Sequence, residues 1–214
     1  MGRDNRNYEY ETGEVSVRRE FEIITEFIPE NQKVLDLGCG DGTLMQMLRD
    51  RKGATADGIE LVPSGVEVCK EKGFACREGR IDVPLEDGDQ TYDYAICNVT
   101  IQMVMYPETL LREMKRVARR QIISFPNFGF YKNRLEMLLN GRMPRSMLFG
   151  YRWYDTGHIH QLSNCDFLEL IEHVGGLNVV EDLSIRPLNP LKGALYSWFP
   201  NLFGSVSIFV LETR

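Results

Sequence analysis

The stretch Asp36-Leu37-Gly38-Cys39-Gly40-Asp41-Gly42 sets two carboxylates among glycines at every second position. Glycine adopts positive φ without steric cost and lets a ligand approach the main chain. The apolar run Val34-Leu35-Asp36-Leu37 precedes the stretch, and Leu44, Met47 and Leu48 follow it at helical spacing. The loop therefore joins a buried strand to a helix N-terminus, where backbone N–H groups converge on one point. A dinucleotide loop of the G-x-G-x-x-G type would need glycine at position 43, where Thr43 stands, and no P-loop lysine follows. A carboxylate at Asp36 would repel a pyrophosphate but suits a cationic or zwitterionic ligand. Glu60 closes a second strand through Gly58-Ile59-Glu60, roughly twenty residues beyond the loop, where a carboxylate can accept both hydroxyls of a ribose.

The pattern D-x-G-x-G-x-G after an apolar strand resembles motif I of S-adenosylmethionine methyltransferases. The resemblance implies that Asp36 bonds the methionine amino group, often through water. It also makes the segment Gly38, Cys39, Gly40, Asp41 and Gly42 a wall for the methionine and ribose portions. Glu60 takes the ribose, and Asn98, at the end of the fourth strand, completes the expected cofactor set. These proteins often hold the adenine amine with an acidic residue in a Gly-Asp pair. Here the pair is Gly79-Arg80 with Asp82 two residues on, so the contact falls to Asp82 or to a backbone group.

Longer strings are more specific. Ser124-Phe125-Pro126-Asn127-Phe128-Gly129, Asn140-Gly141-Arg142-Met143-Pro144, Trp153-Tyr154-Asp155-Thr156 with Ile159-His160, Pro200-Asn201-Leu202-Phe203, and Asn98-Val99-Thr100-Ile101-Gln102 resemble the methionine biosynthesis protein MetW family. The resemblance runs from about residue 33 to the C-terminus. It implies a methyltransferase-like protein that binds S-adenosylmethionine or S-adenosylhomocysteine and is linked with a homoserine O-acyltransferase. An active methyltransferase on a small, anionic acceptor is the alternative. Methyl transfer from a sulfonium needs mainly proximity and orientation, so no fixed triad is expected. Asn98, Asn127 and His160 are the catalytic candidates.

These residues need a frame that brings strand ends together. Strand-like and helix-like stretches alternate from residue 33 onward, which predicts an α/β sheet with helices on both faces. Strands are predicted over Val34–Leu37, Thr55–Glu60, Gly73–Arg77, Tyr92–Asn98 and Gln121–Phe125. Helices are predicted over Leu44–Asp50, Ser64–Lys72, Pro107–Ala118 and Asp166–Val174. Val17, Phe21, Ile24 and Phe27-Ile28 outline a helix ahead of the sheet. Leu177–Ile185 and Ser205–Glu212 read as strands without a full crossover helix between them, hence as antiparallel neighbours. The expected architecture is a Rossmann-like class I methyltransferase fold: a mostly parallel seven-stranded sheet with an antiparallel last strand. It forms one domain over 1–214, with 1–30 an N-terminal helical segment and 128–160 a substrate-side lid. Residues 1–10 fit either an ordered lid or a loose tail.

A net charge of −6 and a pI near 5.2 argue against a general nucleic-acid binder. Against that background the 128–160 stretch is basic and aromatic. It carries Lys132, Arg134, Arg142, Arg145 and Arg152 among Phe128, Phe130, Tyr131, Phe149, Tyr151, Trp153 and Tyr154. Such a cover suits an anionic substrate or an acidic partner surface. Absence of a leader-like or membrane-length apolar run places the protein in the cytoplasm. Five cysteines without metal-site spacing read as buried reduced thiols, with Cys39 a small filler. Alternation on a strand would put His158 and His160 on one face, but no further ligand is near in sequence, so no metal is expected.

Overall fold

The computed structural model describes residues 10, 18–145, 152–185 and 198–214. Seven strands form one sheet: β1 (Lys33–Leu37), β2 (Thr55–Glu60), β3 (Ala75–Glu78), β4 (Tyr92–Asn98), β5 (Ala118–Pro126), β6 (Leu177–Ile185) and β7 (Val206–Thr213). Their order is β3-β2-β1-β4-β5-β7-β6. The first five run parallel, β7 lies antiparallel to β5, and β6 lies antiparallel to β7. The expected mixed sheet is therefore present, with β7 inserted between β5 and the edge strand β6.

Alternation along the central strands splits the core into two faces. Val34, Ile96, Ile122, Ile208 and Val210 meet the apolar stripes of α1 (Arg19–Phe27) and α2 (Thr43–Lys52). Leu35, Leu37, Ile123, Phe125, Phe209 and Leu211 meet α4 (Pro107–Val117) and α6 (Asn164–Val174). Proline opens α4 at its first turn, where a missing N–H costs nothing, and Leu110, Leu111, Met114 and Val117 form its buried face. Ser163 and Asp166 close a reciprocal capping box at the start of α6. A third cluster fills the wedge between α2, β3 and α3 (Pro63–Glu71).

Some boundaries differ from expectation. β5 extends to Ala118 and Pro126 because β4 and β7 pair with it on both sides, and tertiary pairing overrides local propensity. β3 starts at Ala75 because Gly73, at φ +81°, turns the chain out of α3. Within 128–160 the chain forms α5 (Tyr131–Asn140), whereas Thr156–His160 makes no strand. His158 is consequently buried and His160 exposed, so the two do not share a strand face. A short helix α7 (Pro200–Phe203) precedes β7. Val17, Phe149, Tyr151 and the tail Met1–Glu9 lie outside the described residues. Among the described residues, no helix is long and apolar enough to cross a membrane.

Candidate functional site

The carboxyl ends of β1, β2 and β4 bring together the loop 36–42, Glu60 and Asn98–Thr100. Gly38, Gly40 and Gly42 all have positive φ, at 82°, 57° and 75°. The loop is pinned from two sides. Ile59 O accepts Gly38 N at 2.8 Å, and Glu60 Oε2 accepts Gly40 N at 2.8 Å. The second Glu60 oxygen accepts Val62 N at 2.9 Å. Glu60 thus holds the loop while a carboxylate keeps further lone pairs for a ligand. Burial raises its pKa, and the backbone N–H groups of Val62, Gly40 and Leu61 oppose that shift.

Asp36, next to the last residue of β1, has 2% exposure. Burial, reinforced by the negative charge of Glu60, pushes its carboxyl up from 3.8 to about 8. A positive group placed beside this carboxyl would offset the cost of ionising it and bring its pKa back down. Asp41 faces away from this role. Its carboxylate accepts Thr43 N and Thr43 Oγ1 at 3.0 and 2.7 Å and meets Lys72 Nζ at 3.5 Å, fixing the entry to α2.

The opposite wall is the turn after β4. Asn98 Oδ1 accepts the Ser124 hydroxyl at 2.5 Å, and Val99 N donates to Ser124 O at 3.0 Å. This pairing holds Val99 at φ +51°, in the left-handed region. A β-branched residue there stores strain of about 1–3 kcal/mol, a feature that clusters at ligand sites. Thr100 packs where a Gly38 side chain would stand, 2.8 Å from the position of its Cβ.

Tyr10 adds a residue that sequence reasoning left open. Its ring lies 3.4 Å from the Cβ position of Gly40 and 3.1 Å from that of Gly65, and Tyr10 N reaches Ser64 Oγ at 3.4 Å. Burial and then the Glu60 charge raise its phenol pKa. Only its aromatic character offered a signal in the sequence.

Two candidates make structural contacts, and a third sits apart from the loop. Asp82 accepts Arg80 Nε and a second guanidinium N–H at 2.9 and 2.8 Å, and also Met105 N and Tyr106 N at 2.8 and 3.1 Å. Oδ2 ties the segment after β3 to the start of α4 while Arg80 clamps both oxygens, which makes Asp82 a positioning residue. Asn127 is fully buried; its amide donates to Asn201 O and Gly204 O and accepts Gly129 N. It joins the end of β5 to α7 and presents nothing to the loop. His160 lines a shallow concavity with Ile101, Pro107 and Asp166, none of them in the glycine loop. The cysteines behave unlike their sequence spacing: Cys39, Cys69 and Cys76 converge under the loop.

Residues 18–211 match the family described as "Methionine biosynthesis protein MetW". The chain belongs to this family. A MetW-related protein, the bifunctional methionine biosynthesis protein MetXA/MetW of Rhodopirellula baltica, is 36% identical over 192 residues, which is 84% of this chain and 30% of that protein. This chain therefore spans about a third of that relative's length. Among solved structures, the geranyl diphosphate C-methyltransferase of Streptomyces coelicolor superposes with a TM-score of 0.66 at 12% identity, covering 91% of this chain and 75% of that one. Its crystals hold S-adenosyl-L-homocysteine. A SAM-dependent methyltransferase from Aquifex aeolicus gives a TM-score of 0.59 at 15% identity, over 90% and 88% of the two chains. This chain thus has the Rossmann-like fold of class I methyltransferases.

Proposed function

We propose that this MetW-family protein binds S-adenosylmethionine at the 36–42 loop and serves a homoserine O-acyltransferase in methionine biosynthesis. The observation that carries the ligand reading is the meeting of buried Asp36 and Glu60 with three positive-φ glycines at the carboxyl ends of β1 and β2. In this reading Asp36 faces the methionine ammonium and Glu60 accepts the ribose hydroxyls. The backbone of Gly38, Cys39, Gly40, Asp41 and Gly42 lines the ligand, and Asn98 borders its reactive end. The adenine contact passes to backbone groups near Gly79, with Asp82 holding that segment in place. Free cysteines and the absence, among described residues, of a membrane-length helix fit a cytoplasmic protein.

The partner reading draws on the MetXA/MetW relative and on α5 in the 128–160 cover of the proposed single domain. That helix exposes Leu138 and Leu139 at 79% and 77%, beside Lys132 and Arg134. Calorimetry with S-adenosylmethionine tests the first half. Glu60→Ala should weaken binding about 10- to 100-fold through lost charge-assisted hydrogen bonds, while circular dichroism confirms the fold. Equal affinity would remove the ribose assignment. Co-expression with a homoserine O-acyltransferase tests the second half: a stable complex with altered acylation rate is expected, and no association with no rate effect would end it.

A catalysed methyl transfer is the second reading, favoured by the strained Asn98–Thr100 turn packed against Gly38. It requires release of S-adenosylhomocysteine with some metabolite pool. Persistent silence despite measured ligand binding would leave the binding reading alone standing.

A further inference from the structure

Cys39, Cys69 and Cys76 come from the glycine loop, α3 and β3, and their sulfurs gather in one buried wedge. Cys39 Sγ lies 3.8 Å from Cys69 Sγ and 3.6 Å from Cys76 Sγ, and all three lie within 4.8 Å of one another. A triangle with those sides has its centre no more than about 2.4 Å from each corner, against about 2.3 Å for a zinc–thiolate bond. No disulfide joins them. Burial alone does not gather cysteines: Cys97 is equally buried but packs in the α4–α6 core.

The surroundings are soft as well. Met45 is fully buried in the same wedge, and its thioether lies 3.2 Å from the Cβ position that Gly58 leaves bare, with Cys39 Sγ 2.7 Å from the same point. Thiolate and thioether donors together select d10 ions such as Zn²⁺ and Cu⁺ over hard cations.

We propose that Cys39, Cys69 and Cys76 form a three-thiolate site for a thiophilic d10 metal ion beneath the glycine loop. Binding makes three metal–sulfur bonds as the thiol protons of Cys39, Cys69 and Cys76 leave to solvent, with no change of oxidation state. Cys69 then gives up the S–H bond that it donates to Gly40 O at 3.4 Å, and the ion ties the loop directly to α3 and β3. The site stands independently of what the loop itself binds.

The test uses the reduced full-length protein under anaerobic conditions. Cd²⁺ is titrated in one arm, and Cu⁺ against a competing chelator in the other. A thiolate-to-metal charge-transfer band that saturates at one equivalent is expected in at least one arm, and the responding arm separates a divalent from a monovalent site. Cys69→Ala and Cys76→Ala should each lose the band, whereas Cys165→Ser, at an exposed position, should keep it. Bound metal should also shield the three cysteines from alkylation while Cys165 still reacts. Folded wild-type protein without a band in either arm overturns the site. So does a band that survives in Cys69→Ala or Cys76→Ala.

Discussion

Asp36 carries a titration that reaches both stability and binding. Its carboxyl rises from 3.8 to about 8 because burial, then the charge of Glu60, penalises ionisation. The folded chain thus keeps a proton that the unfolded chain releases near pH 4. With more protons on the folded side, this group favours folding at low pH and loses that contribution as pH climbs toward 8. Asp36→Asn should flatten the decline of melting temperature between pH 5 and 8 (values of about that range follow from the linkage). A cationic ligand reverses the preference, pulling the proton off. Calorimetry of S-adenosylmethionine in buffers of different ionisation heat should reveal proton release at pH 7, reduced in Asp36→Asn. Buffer-independent heats would contradict a cation facing this carboxyl. Asp36 and Glu60 were legible because a strand-loop-helix signature is local in sequence. The roles of Asp82 and Asn127 were not, since their partners, Met105 and Tyr106 in one case and Asn201 and Gly204 in the other, come from distant segments.

Among the elements, the glycine loop and the helix caps give the clearest tests. Gly38 and Gly73 have nearly the same φ, 82° and 81°, but a Cβ on Gly38 would lie 2.8 Å from Thr100 while Gly73 faces open space. Gly73→Ala should cost about 1–2 kcal/mol from the left-handed backbone alone. Gly38→Ala should cost a further 1–3 kcal/mol or so from overpacking and abolish ligand binding. Denaturant melts of both variants separate backbone strain from steric conflict; equal losses would show that Thr100 yields freely. Removing the capping hydroxyl in Ser163→Ala should lower stability by about 1 kcal/mol, measured the same way. Most helices were readable from apolar spacing and their caps. The ends of β5 and the path of Thr156–His160 were not, because neighbouring strands and the Gln102 carbonyl, which accepts Ile159 N and His160 N, decide them.

At the scale of the molecule, the two-faced sheet was legible in the alternation of strand and helix, down to the antiparallel pairing of β6 and β7. Its core gathers around Phe125, Phe167 and Phe209, with ring centroids 4.9 to 5.9 Å apart. Phe167→Ala, which empties a fully buried site between α6 and the sheet, should cost about 3–5 kcal/mol. The melting temperature should fall on the order of 10 °C. A much smaller fall would mean that α6 collapses into the space.

The order in which strands leave the ribosome differs from the order in which they sit. β6 is made before β7, yet its place in the sheet depends on β7, which also covers the far side of β5. A chain cut off after Gly204 therefore carries five parallel strands with an open edge on β5 and a sixth with nothing to pair to. Such edges recruit chaperones and misassemble. Protease digestion should find Leu177–Ile185 susceptible in a chain truncated after Gly204 and protected when Val206–Thr213 is present. The arrival of β7, rather than collapse of the first five strands, then sets the moment at which β6 joins the sheet.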